Sequence, residues 1–257
     1  MKNLSQPLIN SRDISAYEIA YTDSNFEVVQ AHYRKRMLLD LLHKLKPKRI
    51  LEIGCGLQTL AIDYVDADYF CIVEPGHQFY EKAQQDTKSL PKVRVVQGLI
   101  EEVFAKIDDG YDLILLSGLL HEVPDAYKLM QVCFELCHAN TVLHINVPNA
   151  NSLHRLLAVE MGLISHTHEQ SKLQKTLQQP RIFDLNSLEQ LAKITGFSVL
   201  EQGSYFVKPF THAQMHALQT SGFLSTAMLD GLFHLTKHLP NAGSEIYLNL
   251  KKSNAGQ

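Results

Sequence analysis

Two glycines and two acids near residue 50 are the residues of this 257-residue chain best spaced for chemistry. Glu52-Ile53-Gly54-Cys55-Gly56 runs out of the apolar segment Arg49–Ile53, and Glu74 closes the next apolar segment, Tyr69–Val73, twenty residues after Gly54. Glycines at the first turn of a βαβ unit admit positive φ and let the backbone come close to a ligand. An acid about 20 residues further on accepts hydrogen bonds from the vicinal hydroxyls of a ribose. The combination points to a ligand that contains adenosine. A dinucleotide fingerprint would need glycine where Thr59 stands, which counts against a nicotinamide-dependent oxidoreductase, and no GK[ST] tripeptide supplies a phosphate loop.

A second set of residues could move protons. Among thirteen histidines, His121 follows the fourth apolar segment and His154 the fifth, at the strand ends where open α/β sheets bind ligands. An imidazole in that place suits a general base near neutral pH; the bland alternative for His121 is a hydrogen-bonded residue that shapes the pocket. Arg155 offers a fork for a carboxylate or phosphate, or else a salt bridge to Glu160 or Glu122. His144 lies inside an apolar segment and reads as a core residue. His166-Thr167-His168-Glu169 has no second ligand cluster and reads as a polar loop, so no metal is expected. Cys71, Cys133 and Cys137 read as buried thiols.

These residues need a sheet to hold them. Short apolar segments at Arg49–Ile53, Tyr69–Val73, Val93–Val96, Tyr111–Leu116 and Thr141–Val147 suit parallel strands covered on both faces. Between them run helical patterns. Tyr33, Met37, Leu38, Leu41, Leu42 and Leu45 form one stripe ended by Pro47. Pro124 opens a second helix, with Ala126, Leu129, Met130, Cys133 and Cys137 inward. Asp184 caps a third, with Phe183 and Leu188 as a staple and Gly196 past its end. The alternation implies an α/β fold with helices on both faces of the sheet. Phe197–Val207 and Glu245–Leu250 are expected to pair antiparallel at the sheet edge. The chain divides into an N-terminal helical cap, 1–46, and a domain, 47–257. That domain carries helical insertions at about 150–181 and 209–240, read as lids or binding loops, with packing or homodimer-forming helices as the alternative.

Composition sets outer limits. Hydrophobic residues make up 45% and charged residues 20%, as in ordinary globular proteins. A net charge of -3 gives no footprint for nucleic acid or an anionic membrane. The longest apolar stretch, Leu113–Leu120, is broken by Ser117 and Gly118 and is too short to span a bilayer. The opening MKNLSQPLINSR lacks the apolar core and cleavage site of a secretory signal, so a cytoplasmic location is expected.

From Arg49 to Pro148 the chain resembles the class I S-adenosylmethionine-dependent methyltransferases. ILEIGCG resembles their first motif, IVEP the second, VVQGLIEEV the third and YDLILLSGLLHEVPD the fourth. INVPNANSLHR is similar to a segment of bacterial members that act on small molecules, and YFVKPF with GSEIYLNL is similar to their closing hairpin. The resemblance implies a Rossmann-like, seven-stranded, mostly parallel sheet with an antiparallel C-terminal hairpin. It implies S-adenosyl-L-methionine as cofactor and S-adenosyl-L-homocysteine as product. Expected around the cofactor are Glu52, Gly54, Cys55, Gly56, Glu74, Pro75, Gly98, Leu99, Ser117 and Gly118, with Tyr21, Tyr33 or Arg36 from the cap on its methionine carboxylate. Asn149, Asn151 and Arg155 are expected on the acceptor, and His121 and His154 on the transferring atoms. Two positions depart from the pattern: Gln58 replaces a third glycine, and Leu99 an acid that bonds adenine. The implied reaction is methyl transfer to a small molecule, with oxygen favoured over nitrogen and a sugar or nucleotide-linked intermediate as a fitting acceptor. A degenerate cofactor-binding protein that acts as an interaction module is the alternative.

Overall fold

Along each short strand, successive side chains fall on opposite faces of one sheet. The computed structural model describes residues 13–14, 26–171, 174–175 and 178–253. In β1 (Arg49–Ile53) Ile50 packs on one face and Leu51 and Ile53 on the other. In β4 (Leu113–Ser117) Leu113 and Leu115 oppose Ile114 and Leu116 in the same way. Both faces are covered, which is why these strands are apolar at consecutive positions.

The remaining strands are β2 (Tyr69–Glu74), β3 (Val93–Gln97), β5 (Val142–Pro148), β6 (Phe197–Tyr205) and β7 (Glu245–Lys252). Among the described residues they form a seven-stranded sheet in the order β3-β2-β1-β4-β5-β7-β6. The first five are parallel, and β7 runs antiparallel to both β5 and β6. The expected C-terminal pair is present, with β7 inside the sheet and β6 alone at the edge. The chain winds outward from β1 through β2 to β3, then crosses to β4 on the other side of β1. Such a switch point opens a crevice at the strands' carboxyl ends.

Helix α1 (Glu27–Leu45) lays Leu38, Leu41 and Leu42 on one face, with Leu60 and Tyr64 from the turn after β1. Leu45, expected on the same stripe, is exposed, because the chain leaves the helix at Lys46 with φ +51°. The short α2 (His77–Thr87) and α3 (Ile100–Val103) follow β2 and β3. Helices α4 (Ala126–Leu136) and α6 (Leu185–Ile194) cover the opposite face with Leu129, Met130, Cys133, Leu188 and Ala192. Segment 150–181 holds α5 (Leu153–Glu160), and segment 209–240 holds α7 (His212–Thr220) and α8 (Thr226–His234). The N-terminal half of α1 meets the second insertion in a separate cluster of Phe26, Tyr33, Phe206, Met215 and Leu229.

The helix ends follow the local sequence. Asp125 caps α4, which places Pro124 one residue before the cap. At α6 the Asp184 carboxylate accepts from Ser187 N–H at 2.7 Å, and the Ser187 hydroxyl accepts from Asp184 N–H at 3.0 Å. Phe183 and Leu188 are both buried across this cap, and Gly196 follows the helix at φ +89°. Asp184→Ala should lower stability by about 1 kcal/mol, the usual value of an N-cap. Urea unfolding should show an earlier midpoint with an unchanged slope.

Candidate active site

A cavity of about 1180 Å³ opens at the carboxyl ends of β1, β2, β4 and β5. Its floor is the turn after β1. Gly54 and Gly56 have φ of +75° and +55°, and a Cβ on Gly54 would lie 3.3 Å from Leu119. A side chain at either place would strain the backbone and narrow the cavity. Glu74, at the end of β2, is buried on the wall. One of its oxygens accepts from Gly76 N–H at 2.8 Å and the other from Gly56 N–H at 3.1 Å. Burial raises its pKa, and these two N–H groups oppose the rise. A carboxylate has about four lone-pair sites; with the Cys55 thiol as a third, long donor at 3.7 Å, one is left open for a hydroxyl.

Glu52 also lines the cavity, but its carboxyl turns to the loop that follows. It accepts from the Thr59 hydroxyl and from Leu60 N–H at 3.3 Å, fixing the turn that carries Gly56. Burial pushes it up to about 7. The Cys55 thiol lies 3.7 Å from a Glu74 oxygen, and burial together with Glu52 and Glu74 raises its pKa, so it stays protonated.

Pro75, Ser117, Gly118, His121 and His154 line the same cavity. His121 is buried, with Nε2 3.6 Å from a Glu122 oxygen that in turn accepts from Gln179 Nε2 at 3.1 Å. The His154 ring has a buried Nδ1 with no hydrogen-bond partner. Burial, then the nearby charges of Lys208, His212 and Arg155, push it down to about 2, so it is neutral.

Other expected residues are committed elsewhere. Tyr33 does not line the cavity: its ring stacks between Phe206 and Phe233 at 4.8 and 5.2 Å, and its hydroxyl donates to Asp230. Gly98 and Leu99 also lie outside the lining. A Cβ on Gly98 would sit 2.6 Å from Val103, so this glycine serves a close turn, and Leu99 is 41% exposed. Tyr21 falls outside the described residues. Asn149 lines the cavity, but its Nδ2 donates to the carbonyls of Asn241 and Gly243 at 3.0 and 2.8 Å, and its oxygen accepts from Asn151 N–H. Asn151 is off the lining, where its oxygen accepts from the Thr167 hydroxyl at 3.0 Å. Arg155 pairs with neither Glu160 nor Glu122. Its Nε and Nη2 donate to the carbonyls of Thr167 and Glu169 at 2.7 and 2.5 Å, so its fork holds a loop. Arg36 lines the cavity and pairs with Asp230 at 2.8 Å, over the Phe233 ring. His144 is the expected core residue, with its ring nitrogens 2.7 and 3.3 Å from the oxygens of Asn249 and Asn146.

A buried polar cluster is the part that sequence reading missed. Glu245, at the head of β7, is 0% exposed. It accepts from Gln30 Nε2 at 2.8 Å, Arg34 Nε at 2.9 Å, Asn146 Nδ2 at 2.9 Å and the Tyr205 hydroxyl. Burial would raise its pKa, but Arg34 and these donors hold it near 2. Arg34 also bonds Glu27 at 3.0 Å. Beside it, Lys208 is 3% exposed and lines the cavity, with a single hydrogen bond among the described residues, of 3.4 Å to the Gln30 oxygen. His212 Nε2 lies 3.1 Å from that same oxygen. Burial lowers Lys208 to about 8 and His212 to about 3. The one sequence signal was a lysine set in the apolar stretch Tyr205–Phe210. Among the described residues, no group of three His, Cys, Asp or Glu could hold a metal, and no helix is long and apolar enough to cross a membrane.

The strand order and the glycine-floored crevice define a Rossmann-like class I S-adenosylmethionine-dependent methyltransferase fold. A family described as "Methyltransferase domain" matches residues 30–202, and the chain belongs to it. The protein is therefore an S-adenosylmethionine-dependent methyltransferase. No curated protein matches in sequence. Similar solved structures include the plantazolicin methyltransferase BamL in complex with a triazolic desmethylPZN analog and SAH. It is 15% identical, with a TM-score of 0.52, over 93% of this chain and 89% of that one. The mitomycin 7-O-methyltransferase MmcR is 12% identical, with a TM-score of 0.53, over 81% of this chain and 50% of that one. The [4+2]-cyclase SpnF is 12% identical, with a TM-score of 0.55, over 85% and 80%.

Glu52 gives the site a measurable pH dependence. Its folded pKa of about 7 lies above the ordinary glutamate value of 4.5. The folded state therefore holds the extra proton between those values, and stability falls as pH rises through them. Glu52→Gln should be more stable than the parent at slightly alkaline pH by up to about 3 kcal/mol. Denaturant titrations should show that advantage shrinking steadily as pH drops toward 4.5.

Proposed function

We propose that the protein moves the methyl group of S-adenosylmethionine to an oxygen atom of a small-molecule acceptor. The observation that carries this reading is one cavity lined by two unlike sets of residues. Gly54, Gly56 and Glu74 form one set; His121, His154 and Lys208 form the other. The glycine floor and the remaining acceptor capacity of Glu74 fit an adenosine moiety, whose ribose hydroxyl would displace the long Cys55 thiol contact. When bound, the cofactor supplies an activated methyl carbon, so the protein's task is alignment, exclusion of water and management of one proton.

In this reading Glu74 accepts from the ribose hydroxyls, while Gly54, Gly56, Pro75, Ser117 and Gly118 border the rest of the cofactor. His121 takes the proton of the acceptor hydroxyl, and the Glu122 carboxylate beside it favours the imidazolium that forms. His154 cannot hold that proton, since its environment keeps it neutral down to about pH 2; it orients the acceptor instead. Residues 1–46 act as a cap, and the insertions at 150–181 and 209–240 act as lids. Gln30 and Arg34 on α1, His154 and Arg155 on α5 and His212 on α7 support that assignment, because all five line the cavity.

Calorimetry should detect binding of S-adenosylmethionine and none of NAD; the reverse would overturn the reading. Glu74→Ala should weaken cofactor binding by about 1.5–3 kcal/mol, the scale of hydrogen bonds to a charged group. Unchanged affinity would remove Glu74 from the site. With a panel of hydroxylated acceptors, His121→Asn should lower kcat by about 100-fold or more, as loss of a general base does. It should leave cofactor affinity intact and abolish the acidic limb of the pH profile. A parent-like profile would reduce His121 to a structural role.

A further inference from the structure

The cavity holds a cation with few bonds to it. An ammonium carries three donors, and burying them without acceptors is costly. Lys208 is 3% exposed, and among the described residues its single hydrogen bond is the 3.4 Å contact with Gln30. That oxygen is shared with His212 Nε2. The nearby carboxylates do not satisfy it by contact, because Glu245 is ringed by Arg34, Gln30, Asn146 and Tyr205, and Glu27 is bonded to Arg34. Ser244, which also lines the cavity and whose N–H bonds the Phe206 carbonyl two residues before Lys208, has a buried hydroxyl with no partner among the described residues.

The position is built by the fold. Phe206, just before Lys208, is fully buried at φ +58°, with its ring stacked on Tyr33. Its carbonyl accepts from Ser244 N–H at 2.8 Å, and Val207 N–H donates to the Leu232 carbonyl at 2.9 Å. The chain leading into Lys208 is thereby fixed, and the lysine meets the cavity from the loop after β6. The flanking imidazoles of His154 and His212 are kept neutral, so neither supplies a competing charge.

We propose that Lys208 and Ser244 form the seat for a carboxylate carried by the methyl acceptor, which makes the substrate a hydroxy acid rather than a neutral alcohol. This inference rests on the methyl-transfer reading above and names its substrate class. The carboxylate would accept the two free N–H donors of Lys208 and the Ser244 hydroxyl. It would anchor the acceptor by a group other than the one methylated.

The test uses the full chain saturated with S-adenosylhomocysteine and two probes of matched shape, benzoate and benzamide, followed by ligand-observed NMR. Benzoate should bind at least tenfold more tightly than benzamide. Lys208→Met should erase that preference while S-adenosylhomocysteine affinity by calorimetry stays at the parent value. A second measurement needs no variant: the preference should fade in the parent protein as pH rises past about 8, where Lys208 loses its proton. Equal binding of the two probes, no binding of benzoate at millimolar concentration, or an acid preference that survives Lys208→Met would each overturn the proposal. A loss of S-adenosylhomocysteine affinity in Lys208→Met would also overturn it, by assigning the lysine to the cofactor. Failure of the parent to bind S-adenosylhomocysteine would instead sink the methyl-transfer reading.

Discussion

The ion pair between Arg34 and Glu245 joins parts of the chain that the sheet alone does not connect. Arg34 stands on α1, and Glu245 heads β7, beside Pro148 at the end of β5. Tyr205 from β6 and Asn146 from β5 donate to the same carboxylate. Two charges removed from water are weak evidence for stability as a pair, yet removal of either partner leaves an uncompensated buried charge and typically costs 3–5 kcal/mol. The cluster therefore fixes where α1 crosses the strand ends, and with it the part of the cavity wall that Gln30 and Arg34 supply. Gln30, one turn before Arg34, uses its amide to extend the same network to Lys208 and His212.

The sheet was legible because its signals are local. Five apolar segments of strand length, the Asp184 cap with its staple and the glycine past the helix end each depend on a few neighbouring residues, and each element stands where its pattern placed it. The pairing of Gly54 with Glu74 was legible for a related reason: one βαβ turn fixes the spacing between them. Side-chain roles were less legible. Residue type tells what Asn149 or Arg155 can donate, but not that backbone carbonyls of nearby loops take those donors. Tyr33 looked like a cofactor contact, and it is a stacking partner for aromatics far along the chain. Glu245 and Lys208 lie more than 170 residues from the α1 side chains that meet them, a distance at which no spacing rule operates.

The fold fixes less of the reaction than of the cofactor. A plantazolicin methyltransferase, a mitomycin 7-O-methyltransferase and a [4+2]-cyclase share this architecture at identities of 12–15%. What they can have in common is the crevice at the switch point, where the strand order itself creates space. What distinguishes one chemistry from another has to come from the segments added to that frame. In this chain those are α5 and α7, which bring His154 and His212 to the cavity, and the loop after β6, which brings Lys208.

The Gln30 amide has a consequence for proton placement. Its nitrogen donates to Glu245, which accepts only, so its oxygen must face Lys208 and His212. The neutral His212 ring must then carry hydrogen on Nε2 and present a bare lone pair at Nδ1. An uncharged amide on the first helix thus dictates the tautomer of an imidazole in a distant one. The direction in which hydrogen bonds run through this wall is set from the rear, before any small molecule arrives.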